Sequence, residues 1–218
     1  MTDETGTDGT DAARVEALFT RSEGAFRFAR WARPLAPVIA GTDEKGEATF
    51  TEALRAVAGL GGLEIVEEDP ELGRNFIVVF TGRWSALNDI PALQQLVPDL
   101  EKLTSVLAGA GANQYRIYDF DDEGAIRLCI TLLCFDEDLA KMPAQALAAN
   151  QSVQAMLLWS DTAFMGESPV QPSPLGTRAE VTPFYRALIR AAYAEEMPTA
   201  SEDPALAARL AARMQDAA

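Results

Sequence analysis

The stretch QYRIYDFDDEGAIRLCITLLCF, residues 114–135, decides how this chain folds. From Gln114 to Phe120 the residues alternate cleanly, with Tyr115, Ile117 and Asp119 on one side, which predicts a strand. The tetrapeptide DDEG (121–124) is made of turn formers and joins that strand to the apolar run AIRLCITLLCF. The three pieces together predict an antiparallel hairpin. Cys129 and Cys134, five apart in the second strand, point to opposite faces roughly 16 Å apart at about 3.3 Å per residue. A disulfide needs Cα atoms within about 7 Å, so these two do not bridge and read as small buried hydrophobes.

Working outward, NFIVVF (75–80) is apolar without interruption, as a central strand buried on both faces requires. LEIVEE (63–68) predicts a further strand, separated from it by the turn-rich DPELGR. PLAPVIAG (34–41) predicts an edge strand, because Pro34 and Pro37 cannot donate to a ladder. Helices are expected from about Asp11, from Ala48 to Ala58 after a loop TDEKGE, and from Pro143 to Trp159. A longer helical stretch, Leu87 to Leu107, is broken by Pro91 and Pro98. Gly59, Gly61 and Gly62 stop the second helix. GESPVQPSPLGT (166–177) reads as a loop, and two amphipathic helices, about 183–194 and 204–214, close the chain. The expected fold class is therefore α/β or α+β: one mixed sheet of about five strands, including the antiparallel hairpin, flanked by helices. Residues 1–10 are polar and predict a disordered tail, with 11–218 as one domain.

Composition removes several functions. There are 33 acidic against 18 basic residues, a formal charge of −15, and no histidine. Nucleic acid is a poor partner for such a surface. The usual serine and cysteine triads and most zinc sites need an imidazole that this chain lacks. No run approaches the ~20 apolar residues of an integral span. MTDETGTDGTD lacks the basic and apolar regions of a signal peptide. As written the chain reads as cytoplasmic, or as periplasmic or secreted if a signal was removed.

Two side-chain groups are candidates for chemistry. Asp119, Asp121, Asp122 and Glu123 crown the hairpin and are oxygen ligands in kind, but the calcium-loop spacing D-x-D-x-D-G is absent, so no metal is assigned. Glu67 to Asp69 is a weaker group of the same type. The clusters GLGG (59–62) and GAGA (109–112) follow helices instead of opening them, so they read as helix stops and not as phosphate cradles. Trp31, Trp84 and Trp159 read as core. Asn150, Gln151 and Gln154 share one helix face. They fill the positions that the pattern H-E-x-x-H gives to ligand, base and ligand, yet all three are amides.

The order of segments resembles a family of uncharacterised bacterial secreted proteins and lipoproteins with a zincin-like layout. The resemblance spans residues 14–200. It rests on ALFTRSEGAF (17–26), RWARPLAPVIAG (30–41), NFIVVF, the helix NQSVQAMLLWSD (150–161) and FYRALIRAAYAEEM (184–197). The family's two acidic positions fall here on Asn150 and Gln151. The resemblance thus implies a zincin-like scaffold without peptidase activity, since Gln cannot abstract a proton. Its cleft beside Asn150, Gln151, Gln154 and Asp161 is vestigial or binds an unknown protein or peptide partner, with no cofactor. The alternative is a carboxylate-dependent hydrolase using Asp119, Asp121 or Asp161, assisted by a divalent cation. A third reading is an acidic structural homodimer.

Overall fold

In the computed structural model, which describes residues 5–173 and 178–216, the chain opens on helix α1 (Thr5–Phe19) and the short strand β1 (Phe28–Ala29). Strand β2 (Pro37–Ala40), helix α2 (Glu44–Ala58) and strand β3 (Phe76–Thr81) follow. A 3₁₀ turn (Trp84–Asp89), α3 (Pro91–Leu96) and α4 (Leu100–Gly109) lead to β4 (Gln114–Phe120) and β5 (Ile126–Cys134). Next come α5 (Glu137–Lys141), α6 (Ala144–Met156), β6 (Val170–Pro172), β7 (Ala179–Val181), α7 (Pro183–Ala192), β8 (Ala200–Ser201) and α8 (Ala205–Asp216).

Four strands form the central sheet in the order β2-β3-β5-β4, with β2, β3 and β5 parallel and β4 antiparallel to β5. The expected mixed sheet with its hairpin is present. Burial on both faces explains why β3 and β5 are apolar at successive positions instead of alternating. Phe76 and Val78 face a cluster built from α1, α2, α6, α7 and α8, while Ile77 and Val79 face the 3₁₀ turn, α3 and α4. The cysteines follow the same rule: Cys129 packs in the first cluster, Cys134 against the second, and both thiols are free. Among the described residues no helix is long and apolar enough to cross a membrane.

Several expectations are corrected. LEIVEE is not a strand. Leu35 and Ile65 make one isolated bridge before β2 begins, and Asp69 then closes a tight turn by accepting from the Glu71 and Leu72 N–H groups. The main sheet therefore has four strands where about five were expected. Helix α2 starts at Glu44, because Asp43 caps it through the Gly46 N–H at 2.8 Å and Glu44 and Glu47 suit the positive end of its first turn. Helix α1 starts at Thr5, so residues 5–10 are helical; residues 1–4 lie outside the described residues. Pro91 opens α3 at a position where its missing N–H costs nothing. The expected loop 166–177 contains β6, which pairs with β7 just beyond it, and residues 174–177 lie outside the described residues.

One backbone approach ties β2 to β3. Gly41 has φ +81°, and a Cβ there would sit 2.0 Å from the Phe80 carbonyl oxygen. Gly41→Ala is expected to cost well above the ~1–2 kcal/mol of a positive φ alone. Gly24→Ala, at φ +95° with open space around it, should cost only that ~1–2 kcal/mol. Urea midpoints of the two variants check this; equal losses would contradict it.

Candidate functional site

Alternation in β4 sends Tyr115 and Ile117 to one face of the sheet and Gln114, Arg116, Tyr118 and Phe120 to the other, where α6 packs. Ile117 joins the cluster under α3 and α4, whereas Tyr118 and Phe120 join the cluster that contains α6. Arg116 lies opposite Thr131 and Tyr118 opposite Cys129 across the β4–β5 ladder. The amide face read from the sequence meets this row of side chains. Gln151 is 2% exposed and Gln154 8%, so the face is covered, and what covers it is an arginine.

The Arg116 guanidinium donates from Nη1 to Gln154 Oε1 at 2.8 Å and from Nη2 to Gln151 Oε1. Gln151 Nε2 donates to Gln114 Oε1 at 2.9 Å, and Gln154 Nε2 donates to Asn150 Oδ1. The Tyr118 hydroxyl donates to the Gln154 carbonyl at 2.8 Å. Three helix amides thus form one network with a buried cation. Among the described residues no carboxylate belongs to it. Desolvation pulls the Arg116 pKa below its ordinary value, opposed only in part by Tyr118 and Cys129, whose own pKa values burial raises. Arg116 Nε is buried and has no hydrogen-bond partner.

Arg116 retains a partly exposed surface, and this opens onto a cleft of about 610 Å³. Gln114, Tyr115 and Arg116 all line the cleft. Successive side chains point to opposite faces, so a cleft that touches all three runs along the free edge of the strand. Its far wall comes from Arg21, Arg27 and the segment from Leu158 to Met165. Trp159 is fixed there by an Nε1 donation to the Val153 carbonyl and by stacking on Phe19 at 5.4 Å. Asp161 accepts from the Ser22 N–H at 2.9 Å and the Ser22 hydroxyl at 2.5 Å, and these bonds hold its pKa below the usual carboxylate value.

Of the sequence candidates, Gln154 and Asp161 line this cleft, and Asn150 and Gln151 belong to the network joined to Arg116. Asp119, Asp121, Asp122 and Glu123 line none of it. Asp119 pairs with Arg127 at 2.7 Å, and Asp121 accepts from the Glu123 and Ala125 N–H groups inside the hairpin turn. Asp122 and Glu123 face solvent. Among the described residues no three His, Cys, Asp or Glu side chains are grouped to hold a metal ion.

Sequence reasoning passed over Arg116, since one arginine in an alternating strand is no motif. The available signal was positional: Arg116 sits out of phase with Ile117 in a strand whose two faces are both covered.

Cys129 shares this interior. It is 1% exposed, and burial pushes its thiol up to about 11 despite the Arg116 charge nearby. The native protein near pH 8 is expected to leave Cys129 unreacted toward an aromatic disulfide reagent, with both thiols reacting only in denaturant. Rapid release of two equivalents from native protein would contradict this burial. No family model, no curated protein and no solved structure matches the chain.

Proposed function

We propose that this chain is a non-catalytic binding or accessory protein whose cleft along the free edge of β4 takes a peptide-like partner. The observation that carries the reading is Arg116: a desolvated cation without a carboxylate, opening onto the cleft. An uncompensated buried charge is unfavourable for folding. Its presence is explained if a ligand supplies the missing anion. The outermost position of β4 in the sheet supports an extended partner, because an unpaired strand edge can add one more strand. Tyr118, Trp159 and Phe164 offer surfaces for that partner's side chains.

The zincin-like resemblance belongs to the same reading. At Asn150, Gln151 and Gln154 the chain carries groups that exchange hydrogen bonds and no base. Asp161, the one carboxylate lining the cleft among the described residues, is engaged by Ser22. Hydrogen exchange with a random mixture of N-acetylated heptapeptides tests the proposal. Amides of residues 114–120 should become protected while the peptides stay intact. Saturable cleavage of the peptides, or unchanged exchange along β4, would overturn it.

A further inference from the structure

We infer that the cleft recognises a terminal carboxylate attached to an apolar residue, with Arg116 as the counter-ion; this rests on the binding reading above. The charge distribution comes first. In a chain with net charge −15, Arg21, Arg27 and Arg116 meet in one cleft. Among the described residues none of the three has a carboxylate within ion-pair distance. Asp161 is the only acid lining the cleft among the described residues; both its oxygens accept from Ser22, and Arg21 is close enough to lower its pKa further. The cleft is thus a cationic spot on an anionic molecule, which favours a small anion over an acidic macromolecule.

The donor set narrows the anion. A guanidinium carries five N–H groups, and Arg116 spends two on Gln151 and Gln154. Its Nε–H is left without a partner beside Nη2, and that side of the guanidinium is the fork that holds a planar carboxylate by two bonds. The neighbouring inner donors are occupied: the Tyr118 hydroxyl by the Gln154 carbonyl, and Gln154 Nε2 by Asn150. A phosphate with three terminal oxygens and up to two charges would draw on Arg21 and Arg27 as well as on Arg116, so inorganic phosphate is the competing anion to test. A carboxylate matches the single charge of Arg116 and its buried, unpartnered Nε–H.

The walls decide what the carboxylate is attached to. Tyr118, Phe120, Leu158, Trp159 and Phe164 line the cleft, and Met165 stands 82% exposed at its rim. An apolar or aromatic side chain next to the carboxylate fits this lining. The carboxylate can come from a peptide C-terminus or from a free aryl-alkyl acid, and the test separates the two.

Titration calorimetry with the full chain uses N-acetyl-Ala-Ala-Ala-Phe as free acid, the same peptide as C-terminal amide, 3-phenylpropionate and inorganic phosphate. The acid should bind at least about tenfold more tightly than the amide, as one charge-assisted bidentate pair provides. Arg116→Gln should abolish that preference. Arg116→Lys keeps the charge but not the fork and should also lose most of it, which covers the case in which the Gln variant does not fold. Arg27→Gln, at an exposed position, should weaken the acid a few-fold and flatten its salt dependence while the acid–amide preference survives. Phenylpropionate weaker than the peptide acid assigns the site to a peptide terminus; equal affinity assigns it to a free acid, and both support the inference. Equal binding of acid and amide would overturn the inference and leave the binding reading standing. Tighter binding of phosphate would overturn it in favour of another anion. Silence from all four probes would count against both.

Discussion

Trp31→Ala is expected to remove about 3–5 kcal/mol of stability, the largest effect of any single truncation in the sheet-and-α6 layer. Trp31 is fully buried, and its indole Nε1 donates to the Ala155 carbonyl at 2.9 Å. Its ring lies 6.2 Å from that of Phe76 on β3, and its backbone bridges to Ile126 at the start of β5. One side chain thus joins the inner strands to the last turn of α6. Alanine would leave a cavity and an unpaired carbonyl. Trp84→Ala is the control: Trp84 is also buried and donates to the Ala112 carbonyl at 2.8 Å, but within the opposite cluster. Both variants should lower the urea midpoint, and only Trp31→Ala should alter the fluorescence of Trp159 in the cleft wall. A loss below about 1 kcal/mol at Trp31 would contradict this packing.

The second large effect separates binding from stability. Arg116→Met alone strips donors from Gln151 and Gln154 and is expected to cost about 1–3 kcal/mol. Replacing Arg116 and Gln151 together by methionine removes the desolvated cation and its most buried partner at once. Buried ionic networks replaced by apolar side chains of similar volume are often neutral or stabilising by about 1–4 kcal/mol. The double variant should therefore be more stable than Arg116→Met, held short of a full recovery by Gln154 Oε1, which stays without its donor, while the acid-terminated peptide no longer binds. Thermal unfolding and calorimetry on the same preparation check both halves. A double variant much less stable than the single one would make Arg116 a structural residue.

The hairpin was readable because the alternation of 114–120 and the turn DDEG are local signals, as was the buried run of β3. LEIVEE failed because the same alternation of Leu63, Ile65 and Glu67 meets one bridging residue, Leu35, and no ladder. Helix α2 begins earlier than its apolar pattern because a cap is set by Asp43, five residues before the expected start at Ala48. In the site, the amides of α6 were visible as a face. Their partner was not, since Arg116 lies more than thirty residues away on a strand whose pairing brings it there. The carboxylates at 119–123 looked dense in sequence, yet a strand end and a turn direct them to Arg127, to their own backbone and to solvent.

The most direct test of the central claim is the ¹H–¹⁵N signal of the Arg116 Nε–H. Buried and without a partner, it should give a resolved, slowly exchanging resonance in the free protein. Adding N-acetyl-Ala-Ala-Ala-Phe as the free acid should move that resonance strongly downfield, and adding the amide should not. A signal that stays in place while other cleft resonances shift would show that the ligand's anion is held elsewhere, and Arg116 would no longer be its counter-ion.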